Sequence, residues 1–192
     1  GVGNFIKQKP LGAFGAAVVL LLIAMALVPQ AFTSLDPTKS ALLDRYQGPS
    51  AAHWFGTDQQ GRDLYTRIVY GTRNSIIIGF GVVMISSSVA LVLGVVSGYF
   101  GGGFDTLIQR VVDIGIALPG LIFIILVVTS LQQIPVNLRI MLAVGSLSAL
   151  SSSRVIRGAS ISAKQNQYVE AARVIGASDF RIIFRHVTPN VF

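Results

Sequence analysis

Two long runs without a formal charge constrain this chain more than any other feature. Leu11 to Val28 is an uninterrupted apolar run of 18 residues, and Ser75 to Phe100 extends for 26 residues with no charged side chain. Both reach the length that a helix needs to cross the hydrocarbon core of a bilayer. The sequence is 52% hydrophobic and only 12% charged, which is more apolar than an ordinary soluble domain. The sequence therefore predicts an all-α integral membrane protein.

Two weaker apolar stretches follow. Ile114 to Leu131 contains Pro119, which removes a helical hydrogen bond and is expected to kink the helix. Val136 to Ser153 is interrupted by Arg139 and holds five serines, a composition that suits packing against other helices or lining a pathway. Together with the first two runs, these stretches predict about four transmembrane helices.

The basic residues predict the orientation of the chain. With four spans and a cytoplasmic N-terminus, nine Lys and Arg residues lie inside and six outside, as the positive-inside rule favours. An alternative for the first run is a secretory signal peptide, although its 18 residues exceed the usual length of such an apolar region. We expect an N-terminal segment with one span at 1–34, an extracytoplasmic segment at 35–74 and a membrane core at 75–192.

Several classes of function are excluded or disfavoured. The chain has no cysteine, and its two histidines, His53 and His186, are far apart, so no metal site is expected. The chain has a net charge of +7, but its basic residues flank the apolar runs and are not interleaved with aromatic residues on one face. This distribution argues against nucleic acid as a partner. It lacks a phosphate-binding G-x-x-x-x-G-K-[ST] loop, ionisable residues at the span centres, and a His/Asp constellation around a serine. These absences disfavour an ATPase, a secondary transporter and a nucleophilic enzyme.

Residues 164–190, here the Glu-Ala-Ala segment, are charged and amphipathic. Two helices are predicted, separated by Gly176 and ended by Pro189. Their apolar faces follow helical spacing and comprise Tyr168, Ala171, Ala172 and Ile175 in the first helix and Phe180, Ile183, Phe184 and Val187 in the second. Physical chemistry alone leaves two interpretations open, a helix pair lying on anionic lipid headgroups or a surface that docks on a protein.

Residues 53–67, here the Gly-Thr-Asp segment, form the other polar motif. Asp58 is expected to cap a following helix and to pair with Arg62, while Asp63 is expected to pair with Arg67. The apolar stripe Leu64, Tyr65, Ile68 and Val69 predicts a short helix at the membrane interface. The segment is interpreted either as a gate or docking surface or as a clip at the membrane surface, and we favour the clip because nothing in it selects a ligand.

The small residues Gly94 and Gly98 occupy one face of the second apolar run. This spacing lets two helices approach closely, so a packing role is expected for them and not a catalytic one.

Both polar motifs resemble one protein family. Glu170-Ala171-Ala172, Gly176 and Pro189 have the spacing of the cytoplasmic loop signature in permease subunits of binding-protein-dependent ABC importers. His186 and Thr188 replace the usual isoleucine and leucine, and Arg185-His186 before Thr188-Pro189-Asn190 resembles the variant of the peptide permease branch. The second motif resembles the extracytoplasmic signature of the C-type subunit of dipeptide, oligopeptide and nickel importers, through Gly56, Thr57, Asp58, Gly61, Arg62, Asp63 and Arg67.

The resemblance implies a type I importer permease bundle in the inner membrane that carries no catalytic residue and binds no cofactor. Its partners would be a second permease, two ATPases that hold ATP-Mg, an extracytoplasmic substrate-binding protein and the lipid bilayer. The Glu-Ala-Ala segment would be the coupling helix, contacting an ATPase through Tyr168, Glu170, Ala171, Ala172, Gly176, Arg185 and Pro189. The substrate would be di- or oligopeptides, with a structural or assembly subunit, or a secondary transporter or channel fragment, as alternatives. Family members continue beyond the Pro-Asn of this motif through further spans, so a fragment truncated at its C-terminus is expected.

Overall fold

The computed structural model describes residues 8–191, most of which are helical. The α-helices are α1 (Pro10–Leu27), α2 (Leu64–Phe100), α3 (Gly102–Ala117), α4 (Gly120–Ser130), α5 (Val136–Lys164), α6 (Gln167–Val174) and α7 (Asp179–Ile182). α7 continues into a π turn at Ile183–Val187 and a 3-10 turn at Thr188–Asn190, and two further 3-10 turns lie at Pro29–Ala31 and Leu42–Asp44. Within residues 8–191, β-structure is limited to an isolated bridge between Thr57 and Asp63.

Two helices, α1 and α2, are long and apolar enough to cross a membrane. α3 and α4 would add a third span only if the pair crosses as one bent unit, because the chain turns by 99° between them. The backbone is extended at Leu118 and Pro119, so the proline breaks the helix here and does not merely kink it. The prediction of an all-α membrane protein is confirmed, whereas the number of four spans is not.

The chain divides into two compact units, residues up to Ile77 and residues from Ile78, with the boundary inside α2. The sequence predicted a short interfacial helix followed by a separate span, but the structure has one continuous helix of 37 residues. The sequence between these two predicted elements contains one residue of low helix propensity, Gly71. A single glycine lowers helix propensity without ending a helix. At about 1.5 Å per residue, α2 is longer than the hydrocarbon core is thick.

In the second unit, α2 and α5 approach closely at two glycines. A Cβ atom added to Gly94 would lie 2.7 Å from the Cβ of Ile156, and one added to Gly98 would lie 2.7 Å from the Cβ of Ser160. Real Cβ atoms do not approach other atoms so closely, so any side chain at either position would push the two helices apart.

Ion pairs tie α3 to α5 in the same unit. Arg157 donates two hydrogen bonds to the Asp105 carboxylate, at 2.6 and 2.5 Å, in the bidentate geometry that favours strong pairing. Arg154 donates to Asp113 at 2.5 Å. Arg110 lies one helical turn before Asp113 on α3, but the Asp113 carboxylate pairs with Arg154 of the neighbouring helix.

A buried apolar cluster fills the space where α2 and α5 end and α6 and α7 begin. It is made of residues from α2, α5, α6, α7 and the π turn: Val95, Tyr99, Ala163, Val169, Ala172, Ile182, Ile183 and Val187. This cluster fixes the Glu-Ala-Ala segment against the ends of two long helices.

Candidate functional site

The Glu-Ala-Ala segment folds as two short helices joined by a tight turn at Gly176. Gly176 adopts a φ of +80°, which a side chain would strain, and its N–H donates to the Arg173 carbonyl at 2.9 Å. The N–H of Ala177 reaches back to the Ala172 carbonyl at 3.0 Å, closing the C-terminus of α6. Ser178 begins α7, its hydroxyl accepting from the Arg181 N–H. The turn therefore sets the angle between α6 and α7.

One face of this segment is buried in the apolar cluster. Val169, Ile182 and Val187 are fully buried, and Ala172 is only 5% exposed. The apolar face predicted for the first helix is mostly exposed, since Tyr168, Ala171 and Ile175 lie at the surface and only Ala172 is buried. In a helix of two turns the apolar residues form two competing stripes, and the stripe with the smaller side chains packs here against α2 and α5.

The opposite face leaves large apolar side chains exposed. Their exposed fractions run from 40% to 86%, for Tyr168, Val174, Ile175, Phe180 and Phe184. The rings of Phe180 and Phe184 pack on each other with centroids 4.4 Å apart. The exposed polar residues of the same two helices and the π turn are Glu170, Arg173, Arg181 and Arg185. Large apolar side chains exposed together with charged ones are typical of a protein or membrane interaction site.

The remaining predicted residues of this segment lie at its C-terminal end. Arg185 is exposed within the π turn, and Pro189 occupies the 3-10 turn that follows. Asn190 donates to the His186 carbonyl at 2.7 Å, and the His186 ring lies 6.3 Å from that of Tyr168. The second helix was predicted to continue to Pro189. Its α-helical part instead ends at Ile182, and the chain continues as a wider π turn and then a tighter 3-10 turn.

The Gly-Thr-Asp segment is organised around the Asp58 carboxylate. Asp58 accepts hydrogen bonds from the backbone N–H groups of Gln60, at 2.7 Å, and Arg62, at 3.0 Å. Its other oxygen accepts from the side chains of Arg62, at 2.8 Å, and Arg67, at 2.6 Å. Desolvation acts to raise the pKa of Asp58, but the hydrogen bonds from Arg62 and Gln60 outweigh it and hold the pKa well below its usual range.

Asp63 has the role that the sequence analysis gave to Asp58. Its carboxylate accepts from the Thr66 N–H at 2.7 Å and so caps the N-terminus of α2. It also lies 3.0 Å from Nδ1 of His53, which replaces the predicted pair with Arg67. Because the Asp63 carboxylate is oriented by the helix cap and by His53, it does not pair with Arg67. The Arg67 side chain instead donates to Asp58.

Threonine hydroxyls complete this segment; Thr57 was named through the family resemblance, whereas Thr66 was not predicted. Thr57 is 5% exposed, accepts from the Gln47 N–H at 2.9 Å and donates to the Asp44 carbonyl. The hydroxyl of Thr66 lies 2.7 Å from that of Thr33. Because these partners come from sequence positions without a fixed spacing, no periodic signal could have revealed them. Gly56 and Gly61, with φ values of +76° and +72°, provide the turns.

The structure brings some of the predicted residues together and leaves others apart. Gly94 and Gly98 lie on α2 beside the cluster that holds the Glu-Ala-Ala segment, while Pro119 lies at the break between α3 and α4. The Gly-Thr-Asp segment belongs to the first compact unit and the Glu-Ala-Ala segment to the second.

Comparison with known proteins identifies the family. The family described as binding-protein-dependent transport system inner membrane component matches residues 90–192. The glutathione transport system permease protein GsiD of Pectobacterium atrosepticum is 38% identical over 188 residues, which are 97% of this chain and 62% of that protein. The dipeptide transport system permease protein DppC of Alkalihalophilus pseudofirmus is 36% identical over 185 residues, with coverage of 96% and 60%.

A third relative agrees with these two. The oligopeptide transport system permease protein OppC of Bacillus subtilis is 33% identical over 185 residues, which cover 96% of this chain and 60% of that protein. The chain thus spans about three fifths of the length of these relatives. The family match includes the whole Glu-Ala-Ala segment and the C-terminal end of α2. The chain therefore belongs to the family of inner membrane components of binding-protein-dependent transport systems, which are non-catalytic permease subunits.

Proposed function

We propose that this chain forms half of the translocation pathway of an ATP-driven importer for short peptides and couples to an ATPase subunit through the Glu-Ala-Ala segment. The substrate class rests on the relatives, whose names specify glutathione, dipeptide and oligopeptide transport. ATP-Mg is held by two partner ATPases, and a second permease and an extracytoplasmic binding protein complete the assembly. This chain supplies the membrane path and the contact surface.

The observation that carries the proposal is the division of the Glu-Ala-Ala segment into two apolar faces. One face is buried in the chain's own cluster, so the segment is packed against the ends of α2 and α5. The other face exposes Val174 and Ile175, at 86% and 84%, with the Glu170 carboxylate beside them. A segment whose buried face is packed on its own chain and whose exposed face is apolar is suited to bind in a groove of a partner. Movement of that partner would then be transmitted to α2 and α5.

Each predicted residue has a part in this contact. Glu170, Ala171 and Tyr168 belong to the exposed surface, and Arg185 supplies charge at its edge. Ala172 keeps α6 close to the cluster, Gly176 fixes the angle between the two helices, and Pro189 ends the segment. Gly94 and Gly98 keep α5 against α2, so that the segment and both helices move together.

The Gly-Thr-Asp segment acts as a clip on the extracytoplasmic side. Both of its carboxylates are engaged by groups of the chain itself, Asp58 by two arginines and Asp63 by Thr66 and His53. Such internally paired groups order a surface but do not select a ligand. In the topology that we propose, the N-terminus is cytoplasmic, α5 is the fourth span, and the segments 1–34, 35–74 and 75–192 have the roles expected from the sequence.

Charge reversal at Glu170 tests the coupling. The complete chain is assembled with its partner subunits in proteoliposomes, and peptide uptake is measured for Glu170→Arg and for the neutral control Glu170→Gln. In this proposal the Glu170 carboxylate pairs with a basic residue of the ATPase. We expect uptake to fall by more than about tenfold in the reversed variant and less in the control, because two like charges placed together at an interface cost several kcal/mol. Gly176→Asp, which strains a residue at positive φ, is expected to lower uptake as well.

The same variants distinguish a structural or assembly subunit. If the chain has only such a role, Glu170→Arg and Gly176→Asp would leave uptake per assembled complex unchanged, and the coupling proposal would be wrong. Span topology is checked in parallel by accessibility labelling, since a misinserted chain would lose uptake for a trivial reason.

A further inference from the structure

The hydroxyl of Tyr99 is the point where both helices of the Glu-Ala-Ala segment meet α2. Tyr99 is the penultimate residue of α2, 4% exposed, and donates a hydrogen bond to the Asp179 carboxylate at 2.5 Å. Arg173 approaches the same hydroxyl at 3.5 Å, and its guanidinium lies 5.6 Å from the centre of the Tyr99 ring. Arg173 is in the last turn of α6 and Asp179 begins α7, so one phenol engages the chain on both sides of the Gly176 turn.

The backbone of Tyr99 is held as well. The ammonium group of Lys164, the last residue of α5, donates to the Tyr99 carbonyl at 2.8 Å. A cation at the C-terminus of a helix satisfies a free carbonyl and is favoured by the helix dipole. Side chain and backbone of Tyr99 together therefore connect the end of α2 to α5, α6 and α7.

These polar contacts differ in kind from the packing around them. The rest of the attachment is apolar contact among residues such as Val95, Val169 and Ile182, which resists separation but not sliding. A phenol that donates to a carboxylate makes a directional, charge-assisted hydrogen bond. The Tyr99 hydroxyl thus determines the register in which the segment sits on α2.

We propose that Tyr99 is a positioning residue that transmits displacement of the Glu-Ala-Ala segment to the end of α2, so that ATP hydrolysis and peptide uptake stay coupled. This inference rests on the proposed function of the segment. A partner that moves α6 and α7 pulls on Asp179 and Arg173 together, and the phenol passes that movement to a helix long enough to cross the membrane. Without the hydroxyl, the segment still binds its partner but slides on the apolar cluster.

The test measures peptide molecules taken up per ATP hydrolysed by the complete, reconstituted complex. For Tyr99→Phe we expect this ratio to fall by about five- to tenfold, the lower end of the range of typical coupling free energies. Asp179→Ala removes the same contact from the other side, and the double variant should lose no more than either single variant. The matched control is Tyr70→Phe, which removes a hydroxyl of the same helix that makes no hydrogen bond within residues 8–191.

A purely structural role would lower uptake and hydrolysis in parallel with the amount of assembled complex and leave their ratio unchanged, which would overturn the inference. The partner contact is checked separately with a cysteine at the exposed Ala171, cross-linked to the ATPase. If that cross-link persists in Tyr99→Phe while the ratio falls, the inference holds. If it persists with an unchanged ratio, the inference alone is wrong. If it is absent in Ala171→Cys with Tyr99 intact, the proposed function fails and the inference with it.

Discussion

The two polar segments of this chain are held in opposite ways. In the Gly-Thr-Asp segment, Asp58 binds side chains four and nine positions away, and the contacts are hydrogen bonds and ion pairs. In the Glu-Ala-Ala segment the attachment is an apolar cluster, and its central hydrogen bond joins residues 80 positions apart. The first segment can therefore order itself locally, whereas the second is ordered only when the long helices around it are in place. A segment of the second kind responds to helix arrangement, which is what a coupling element requires.

Truncation of Ile182 should produce the largest effect on the second segment. Ile182 is fully buried at the centre of the cluster, and an Ile→Ala change at such a site costs about 2–5 kcal/mol. We expect residues 164–190 to become sensitive to protease in the complete chain, with a matching loss in denaturant unfolding. The control is Ile175→Ala, a residue 84% exposed, whose truncation should change stability by less than about 0.5 kcal/mol. Equal effects of the two variants would mean that the attachment is not apolar.

A methyl group at Gly98 should separate α5 from α2. Its Cβ would meet the Cβ of Ser160 and, at 2.8 Å, the Arg157 carbonyl. We expect Gly98→Ala to lower stability by about 1–3 kcal/mol, the usual cost of overpacking. In Gly79→Ala the added Cβ has no atom within 4 Å, so this variant of the same helix should be neutral or slightly stabilised. Thermal unfolding of the two variants in detergent compares them directly, and a neutral Gly98→Ala would argue against close helix contact.

Neutralising Asp58 should loosen the first segment and leave the second unchanged. The pKa of Asp58 lies below its ordinary value of 3.8. The stabilisation is therefore complete above that value and is lost as the pH falls toward the lower pKa of the folded state. Hydrogen exchange of residues 53–67 should accelerate in Asp58→Asn at neutral pH. The difference in exchange rate between Asp58→Asn and the parent chain should shrink on acidification. A difference that grows as the pH falls would contradict a stabilising role of the ionised Asp58 carboxylate.

The smallest effect is expected at Asp36, which also belongs to the first unit. Its exposed carboxylate accepts from the Thr38 N–H at 2.7 Å and the Thr38 hydroxyl at 2.6 Å, within one turn. The hydrogen bonds from the Thr38 side chain and backbone lower the pKa of Asp36. Asp36→Asn should accelerate exchange at the Thr38 amide only, with no change in the unfolding midpoint of the chain. A wider change would show that the first unit is less locally organised than its contacts indicate.

The same contrast explains what the sequence could predict. Apolar run length identified α1 and the membrane class, and turn chemistry identified Gly176, because these signals are local. The spacing of Gly94 and Gly98 suggested close helix packing before the partner helix was known. Long helices and short-range caps follow from rules that involve a few neighbouring residues.

Other features depend on contacts that no local pattern encodes. The periodicity of α6 allowed two apolar stripes, and only packing against α2 and α5 decided that Ala172 lies inside and Ile175 outside. The choice of Asp63 over Asp58 as helix cap depended on where α2 begins. No local pattern indicated that Tyr99 contacts Arg173 and Asp179, since a tyrosine at the end of an apolar run is ordinarily an interfacial residue.

Cross-linking from adjacent positions of α6 tests the central claim most directly. The chain has no cysteine, so single cysteines can be placed at Ala171, which is exposed, and at Ala172, which is 5% exposed. Native membranes containing the complete chain and its partners are treated with a short thiol-to-amine reagent, and attached proteins are identified by mass spectrometry. We expect Ala171→Cys to capture an ATPase subunit and Ala172→Cys to capture little. Attachment of Ala171→Cys only to lipid or to the chain itself would contradict the coupling role and favour a helix pair lying on the membrane surface.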